Sequence, residues 1–132
     1  MATQRRTVLL VEDDRATREL FAEALHWAGL GVLAAGDGLT ALRILDQQRP
    51  DVVVLDLELP HVSGLDVHQE ILAHAETRDV PVVIVTGTDW PAPPGTFRIL
   101  RKPIGADVVV TTVLSALAGS DPVIASRPGG GL

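Results

Sequence analysis

Three short apolar runs constrain this chain most: residues 8–11 (VLLV), 51–55 (DVVVL) and 80–85 (VPVVIV). Successive residues of a strand face opposite sides of a sheet, so a strand with one wet face alternates apolar and polar residues. These runs barely alternate. They are the form expected of strands covered on both faces by helices, as in a parallel sheet. A weaker run at 31–35 and another at 97–100 bring the expected strands to five.

Helical periodicity fills most of the intervals. Residues 15–27 place Leu20, Phe21, Ala24 and Leu25 on one stripe, and Gly29 just beyond is a fitting terminator. Residues 38–48 repeat the arrangement with Leu39, Leu42, Ile44 and Leu45, and Pro50 separates this helix from the third strand. Residues 64–75 carry Leu65, Val67, Ile71 and Leu72. The last helix is expected at 105–118, where Val108, Val109, Val110 and Thr111 lower intrinsic propensity, so packing must enforce it. Alternating strands and helices in 132 residues predict one α/β domain, a doubly wound five-stranded parallel sheet.

One interval breaks the alternation. Residues 87–96, GTDWPAPPGT, contain Pro91, Pro93 and Pro94, and an interior proline costs a helix about 3 kcal/mol. The fourth helix is therefore expected to be shortened or absent. Ten extended residues reach roughly 33 Å, enough for a proline-stiffened strap to return along a short strand. After Gly119, SDPVIASRPGGGL is rich in Gly and Pro and poor in apolar residues, so residues 120–132 are read as a flexible tail or linker following a domain at 1–119.

Composition excludes several functions. Seventeen acidic residues against eleven basic ones give a formal charge of -6 with no basic stripe, which disfavours direct nucleic-acid binding. No cysteine is present, removing disulfides, thiolate metal sites and thiol nucleophiles together. The apolar run at 8–11 is far too short for a signal or membrane segment, so the chain is read as soluble, cytoplasmic and free of membrane contact.

In open α/β sheets the functional crevice lies outside the carboxyl ends of the strands. Glu12 and Asp13 close the first strand, Asp56 the third, Thr86 the fourth and Lys102 the fifth. Any one acidic residue there would ordinarily cap the next helix; the joint placement is harder to dismiss. Two unit charges about 4 Å apart repel by about 4 kcal/mol at an effective dielectric near 20, so clustered carboxylates call for a cation. Oxygen-only ligation suits a hard ion such as Mg²⁺. A lysine adds a point charge for a phosphoryl group and a threonine hydroxyl can donate to its oxygens, which points to phosphoryl transfer onto a carboxylate. His26, His61, His68 and His74 lack metal-ligand spacing and read as surface or helix-face residues. Asp14 and Arg18, four apart, read as a weak solvated pair, and Trp90 either anchors a partner or packs over the strap.

Taken together, VLLVEDD at 8–14, PDVVVLDLELPHVSGLD at 50–66, PVVIVTG at 81–87 and RKP at 101–103 resemble the receiver domains of two-component response regulators. The resemblance covers roughly residues 6–118. It implies a flavodoxin-like strand order 2-1-3-4-5, with Asp56 as phosphoacceptor. Asp13 becomes a direct ligand of Mg²⁺ or Mn²⁺, Glu12 a ligand through water, and the Glu58 backbone carbonyl a further ligand. Thr86 and Lys102 would contact the phosphoryl group, with a cis peptide from Lys102 to Pro103. The implied donor is the phosphohistidine of a sensor kinase or phosphotransfer protein. The implied product is a switch that slowly dephosphorylates itself rather than a turnover enzyme, acting on a downstream protein or through a homodimer.

Two features depart from that pattern. Many receivers have a mobile Tyr or Phe three residues before the lysine, where this chain has Ile99, so signalling must rely on backbone or surface rearrangement. The interval from Thr86 to Lys102 is short, and Ile84, Val85, Thr86 and Gly87 are similar to the Phe-Ala-Thr-Gly signature of a single-domain subgroup with a reduced fourth helix. These departures support an alternative reading, a non-phosphorylated interaction or dimerisation module. The intact set of site residues argues against it. A haloacid-dehalogenase-type phosphatase would need its Asp-x-Asp near the first strand, and a flavin carrier would not place Glu12, Asp13 and Asp14 where phosphate must bind.

Overall fold

The computed structural model describes residues 5–119. In chain order the elements are β1 (Thr7–Val11), α1 (Arg15–Trp27), β2 (Gly31–Ala35), α2 (Gly38–Gln47), β3 (Val52–Leu55), α3 (Gly64–Ala73), β4 (Val82–Thr86), β5 (Arg98–Arg101) and α4 (Ala106–Leu117). All four strand pairings are parallel and the order is β2-β1-β3-β4-β5. The tail expected at 120–132 lies outside the described residues.

The unbroken apolar runs have the anticipated cause. Val8 and Leu10 of β1 join Val52 and Val54 of β3 and Val83 and Val85 of β4 in a core beneath α1 and α4. Leu9, Val11, Val53, Leu55, Val82 and Ile84 face the other way, into a second core with Ala41 of α2 and Val67 and Ile71 of α3. Each strand thus feeds two cores with alternate side chains, which leaves no position for a polar residue until the strand ends.

Residues 87–97 contain no helix. The strap is fixed by main-chain acceptors instead. Arg101 donates to the carbonyls of Thr88 and Trp90, Thr96 Oγ1 donates to Pro93 O at 2.7 Å, and Phe97 N donates to Val82 O at 2.8 Å. Gly95 turns the strap against α3 with φ +88, a conformation natural to glycine, and a Cβ there would crowd Leu72.

Several side chains differ from expectation. Leu20 of α1 and Leu39 of α2 are exposed rather than on the buried stripe; Phe21 and Leu25, and Gly38 and Ala41, hold those positions. On α3 the buried set is Gly64, Val67, His68 and Ile71, while Leu72 lies at the exposed margin. His68 is therefore a buried residue, not a surface one. The strap covers it at Gly95, a contact between segments that local periodicity does not encode. α3 ends at Ala73, before the anticipated residue 75, because Thr77 Oγ1 donates to Ile71 O at 2.7 Å and turns the chain away. Trp90 is 57% exposed, so it does not seal the strap.

Candidate functional site

Parallel register carries the sequence to the site. Val11 pairs with Leu55, so one step further Glu12 and Asp56 stand side by side at the carboxyl edge. The ladder continues through Asp56 N to Val11 O at 3.0 Å and Glu12 N to Ala35 O at 3.0 Å. Both side chains are buried, Glu12 at 2% exposure and Asp56 at 3%, whereas Asp13 is exposed at the rim. Ligand oxygens of Glu12, Asp13 and Asp56 all lie within 4.8 Å of one another.

Lys102, directly after β5, reaches across the edge. Its Nζ lies 2.6 Å from Glu12 Oε1 and 2.8 Å from Asp56 Oδ2. Burial disfavours the lysine charge, but hydrogen bonds and Coulombic attraction from Asp56 and Glu12 outweigh it and hold the pKa above the usual lysine value. Glu12 shifts upward mainly through burial; its bonds to Lys102 and the Asp14 amide oppose that, and the Asp56 charge adds to it. Lys102 neutralises only part of the cluster. The remaining all-oxygen donor set fits a hard divalent cation such as Mg²⁺ or Mn²⁺.

Asp56 is held by the loop that follows it. Glu58 N donates to Asp56 Oδ1 at 2.9 Å, which brings the Glu58 backbone to the Asp56 carboxylate. This loop then passes so close to the start of α3 that a Cβ at Gly64 would overlap the Asp56 carbonyl oxygen. Gly64 is thus a supporting residue that sequence reading missed; the small residue eight beyond Asp56 at a helix start was the available signal.

Thr86 ends β4 fully buried, and its carbonyl accepts from Lys102 N at 2.9 Å. Its hydroxyl accepts from Thr88 N at 3.4 Å and makes no hydrogen bond to Asp56. The peptide from Lys102 to Pro103 is cis, as the resemblance implied. The Asp14–Arg18 pair does not form. Asp14 instead caps α1 by accepting from Thr17 N at 2.9 Å and Thr17 Oγ1 at 2.6 Å, and these bonds lower its pKa. Arg18 donates to backbone carbonyls. Four of the anticipated side chains, Glu12, Asp13, Asp56 and Lys102, thus meet in one cluster, with the Glu58 amide beside them and Thr86 on the adjoining strand.

No described helix is long and apolar enough to cross a membrane. Comparison with known proteins agrees with the geometry. The family model for the response regulator receiver domain matches residues 8–114. The chain is 30% identical over 118 residues to the polar-differentiation response regulator DivK of Brucella anthropi, covering 85% of this chain and 96% of that protein. It is 42% identical over 83 residues to the probable transcriptional regulatory protein TcrX of Mycobacterium tuberculosis, and that match spans only 35% of TcrX. Among solved structures, a putative response regulator of Chloroflexus aurantiacus superposes with a TM-score of 0.80 at 26% identity, covering 87% of this chain and 99% of that one. The chemotaxis response regulator CheY4 of Vibrio cholerae gives 0.79 at 24% identity over 86% and 99%, a likeness of fold. The chain belongs to the response regulator receiver domain family.

Proposed function

We propose that Asp56 accepts a phosphoryl group from the phosphohistidine of a sensor kinase or phosphotransfer protein in the cytoplasm, and that the chain acts as a reversible switch rather than a turnover enzyme. One observation carries the reading: a buried acceptor carboxylate is flanked by an acid pair and by a lysine that bonds both Asp56 and Glu12.

The residues divide the work as follows. Asp56 attacks phosphorus through a carboxylate oxygen while its Oδ1 is oriented by the Glu58 amide. An O–P bond forms, the N–P bond breaks, and the departing imidazole keeps the electron pair and takes a proton. Lys102 neutralises charge on the transferring oxygens, and the Thr86 hydroxyl donates to one of them. Glu12, Asp13, Asp56 and the Glu58 carbonyl would hold a divalent cation, which when bound supplies further neutralisation of the phosphoryl charge. Hydrolysis of the acyl phosphate by water resets the switch.

Formation of the acyl phosphate changes charge and bonding at the end of β4. The strap begins there and ends at β5, so it is the surface through which a downstream partner would sense the change. The test is incubation with acetyl phosphate or phosphoramidate and Mg²⁺ followed by intact-mass measurement. A single phosphoryl adduct that disappears in Asp56→Ala is the expected result. No adduct under any condition would favour the interaction-module reading.

A further inference from the structure

Arg18 is a cation one turn into α1, and among the described residues it forms no ion pair with Glu12, Asp13 or Asp56. Its donors go to the main chain. Nη1 donates to Glu12 O at 2.8 Å and to Asp13 O at 3.3 Å, and its own backbone N–H donates to Asp14 O at 2.8 Å. Three consecutive carbonyls of the β1–α1 loop therefore accept from one residue. The guanidinium also reaches the β2–α2 loop, where a Cβ at Gly36 would come within 3.1 Å of Nη1.

These bonds act where the sheet no longer does. The ladder extends one residue past β1, through Glu12 N to Ala35 O, and two residues on Asp14 N turns to Glu12 Oε2 at 3.0 Å. Between them the Glu12 and Asp13 carbonyls lie beyond strand pairing, in the peptides that aim the two carboxylates. Repulsion among those carboxylates favours swinging Asp13 away from the cluster. We infer that Arg18 is a positioning residue for the acid pair, fixing the Glu12 and Asp13 peptides so that both carboxylates converge on a divalent cation. The inference rests on the metal site proposed above. A planar guanidinium supplies several donors in fixed directions, whereas a lysine supplies one mobile ammonium.

The test separates geometry from charge. Mn²⁺ affinity is read by electron paramagnetic resonance of free Mn²⁺ for wild type, Arg18→Lys and Arg18→Ala, with urea midpoints in EDTA confirming that each variant is folded. Loss of a residue that orients metal ligands typically weakens binding roughly 10- to 100-fold. Both variants are expected at about the lower end of that range. The Mg²⁺ concentration for half-maximal labelling by acetyl phosphate should rise in parallel, with the rate largely recovered at saturating Mg²⁺. Wild-type affinity in Arg18→Lys would show that charge alone matters and would overturn the inference, as would wild-type affinity in Arg18→Ala. Absence of Mn²⁺ binding by wild type would instead overturn the metal site itself, and this inference with it.

Discussion

At the scale of single residues, Lys102 links the chemistry to stability. Glu12 and Asp56 are almost fully buried, and without a metal ion the ammonium between them is the one charge partner they share among the described residues. Replacing one partner of a buried pair leaves an uncompensated charge at a cost of about 3–5 kcal/mol, and the Lys102 side chain keeps 27% of its surface, so the effect falls at or below the low end of that range. Lys102→Met in EDTA should lose about 2–3 kcal/mol, read from urea unfolding. A loss within error of zero would mean that the two carboxylates are neutralised another way. Gly64 makes a simpler claim. A Cβ there has no room against Asp56 O and Leu57, so Gly64→Ala should destabilise by about 1–3 kcal/mol and slow labelling of Asp56, because the overlap lies on the loop that orients the Asp56 carboxylate. Full labelling rate in a destabilised Gly64→Ala would show that the loop's position matters only to folding.

At the scale of elements, the strap and α3 form the part least like a regular α/β unit. His68 sits under Gly95 with its Nε2 buried and without a well-formed hydrogen bond among the described residues. Burial lowers its pKa from the ordinary 6.5, and the Gly95 backbone only partly opposes this. The unfolded chain then binds the proton more readily than the folded one. Stability from this residue is fully present above about pH 6.5 and is lost as pH falls below it toward the folded pKa. Urea midpoints in EDTA at about pH 7.5 and about pH 5.5 should therefore drop more for wild type than for His68→Gln. Equal drops would remove His68 as the cause. The strap has a second hold, the Arg101 fork on the Thr88 and Trp90 carbonyls. Arg101→Ala should speed hydrogen exchange at the non-proline amides of 88–96 while leaving the sheet amides unchanged.

The strands were legible in the sequence because burial on both faces writes itself into consecutive residues, as at 52–55 and 82–85. The absence of a helix between β4 and β5 was legible from three prolines. His68 was not, since what covers it comes from 27 residues further along the chain, and neither was Arg18, whose partners are carbonyls that carry no sequence signal. Leu20 and Leu39 misled for a related reason. Periodicity gives a stripe, but the centre of the buried face is set by the sheet, which here falls on Phe21 and Leu25 and on Ala41.

For the molecule as a whole, the same cluster should oppose folding or support it according to what is bound. Glu12 and Asp13 come from the end of β1 and Asp56 from the end of β3, so only the folded chain brings three carboxylates within 4.8 Å of one another. Lys102 leaves the cluster net negative, which makes it a source of repulsion in the metal-free protein and, on the proposed reading, the binding site of a divalent cation. A ligand that binds only the folded state adds RT ln(1 + [L]/Kd), about 2.7 kcal/mol at a hundredfold excess over Kd. Asp13 is the member to vary, because it is exposed and lacks the Lys102 contact, so its replacement removes repulsion without leaving a buried cation unpaired. Asp13→Asn should unfold at higher urea than wild type in EDTA, by about 0.5–1 kcal/mol, and at lower urea than wild type at saturating Mg²⁺, so that the two unfolding curves exchange order. An Asp13→Asn protein less stable than wild type in both conditions would show that Asp13 holds the loop together rather than straining it, and that the cluster's repulsion is already relieved by Lys102.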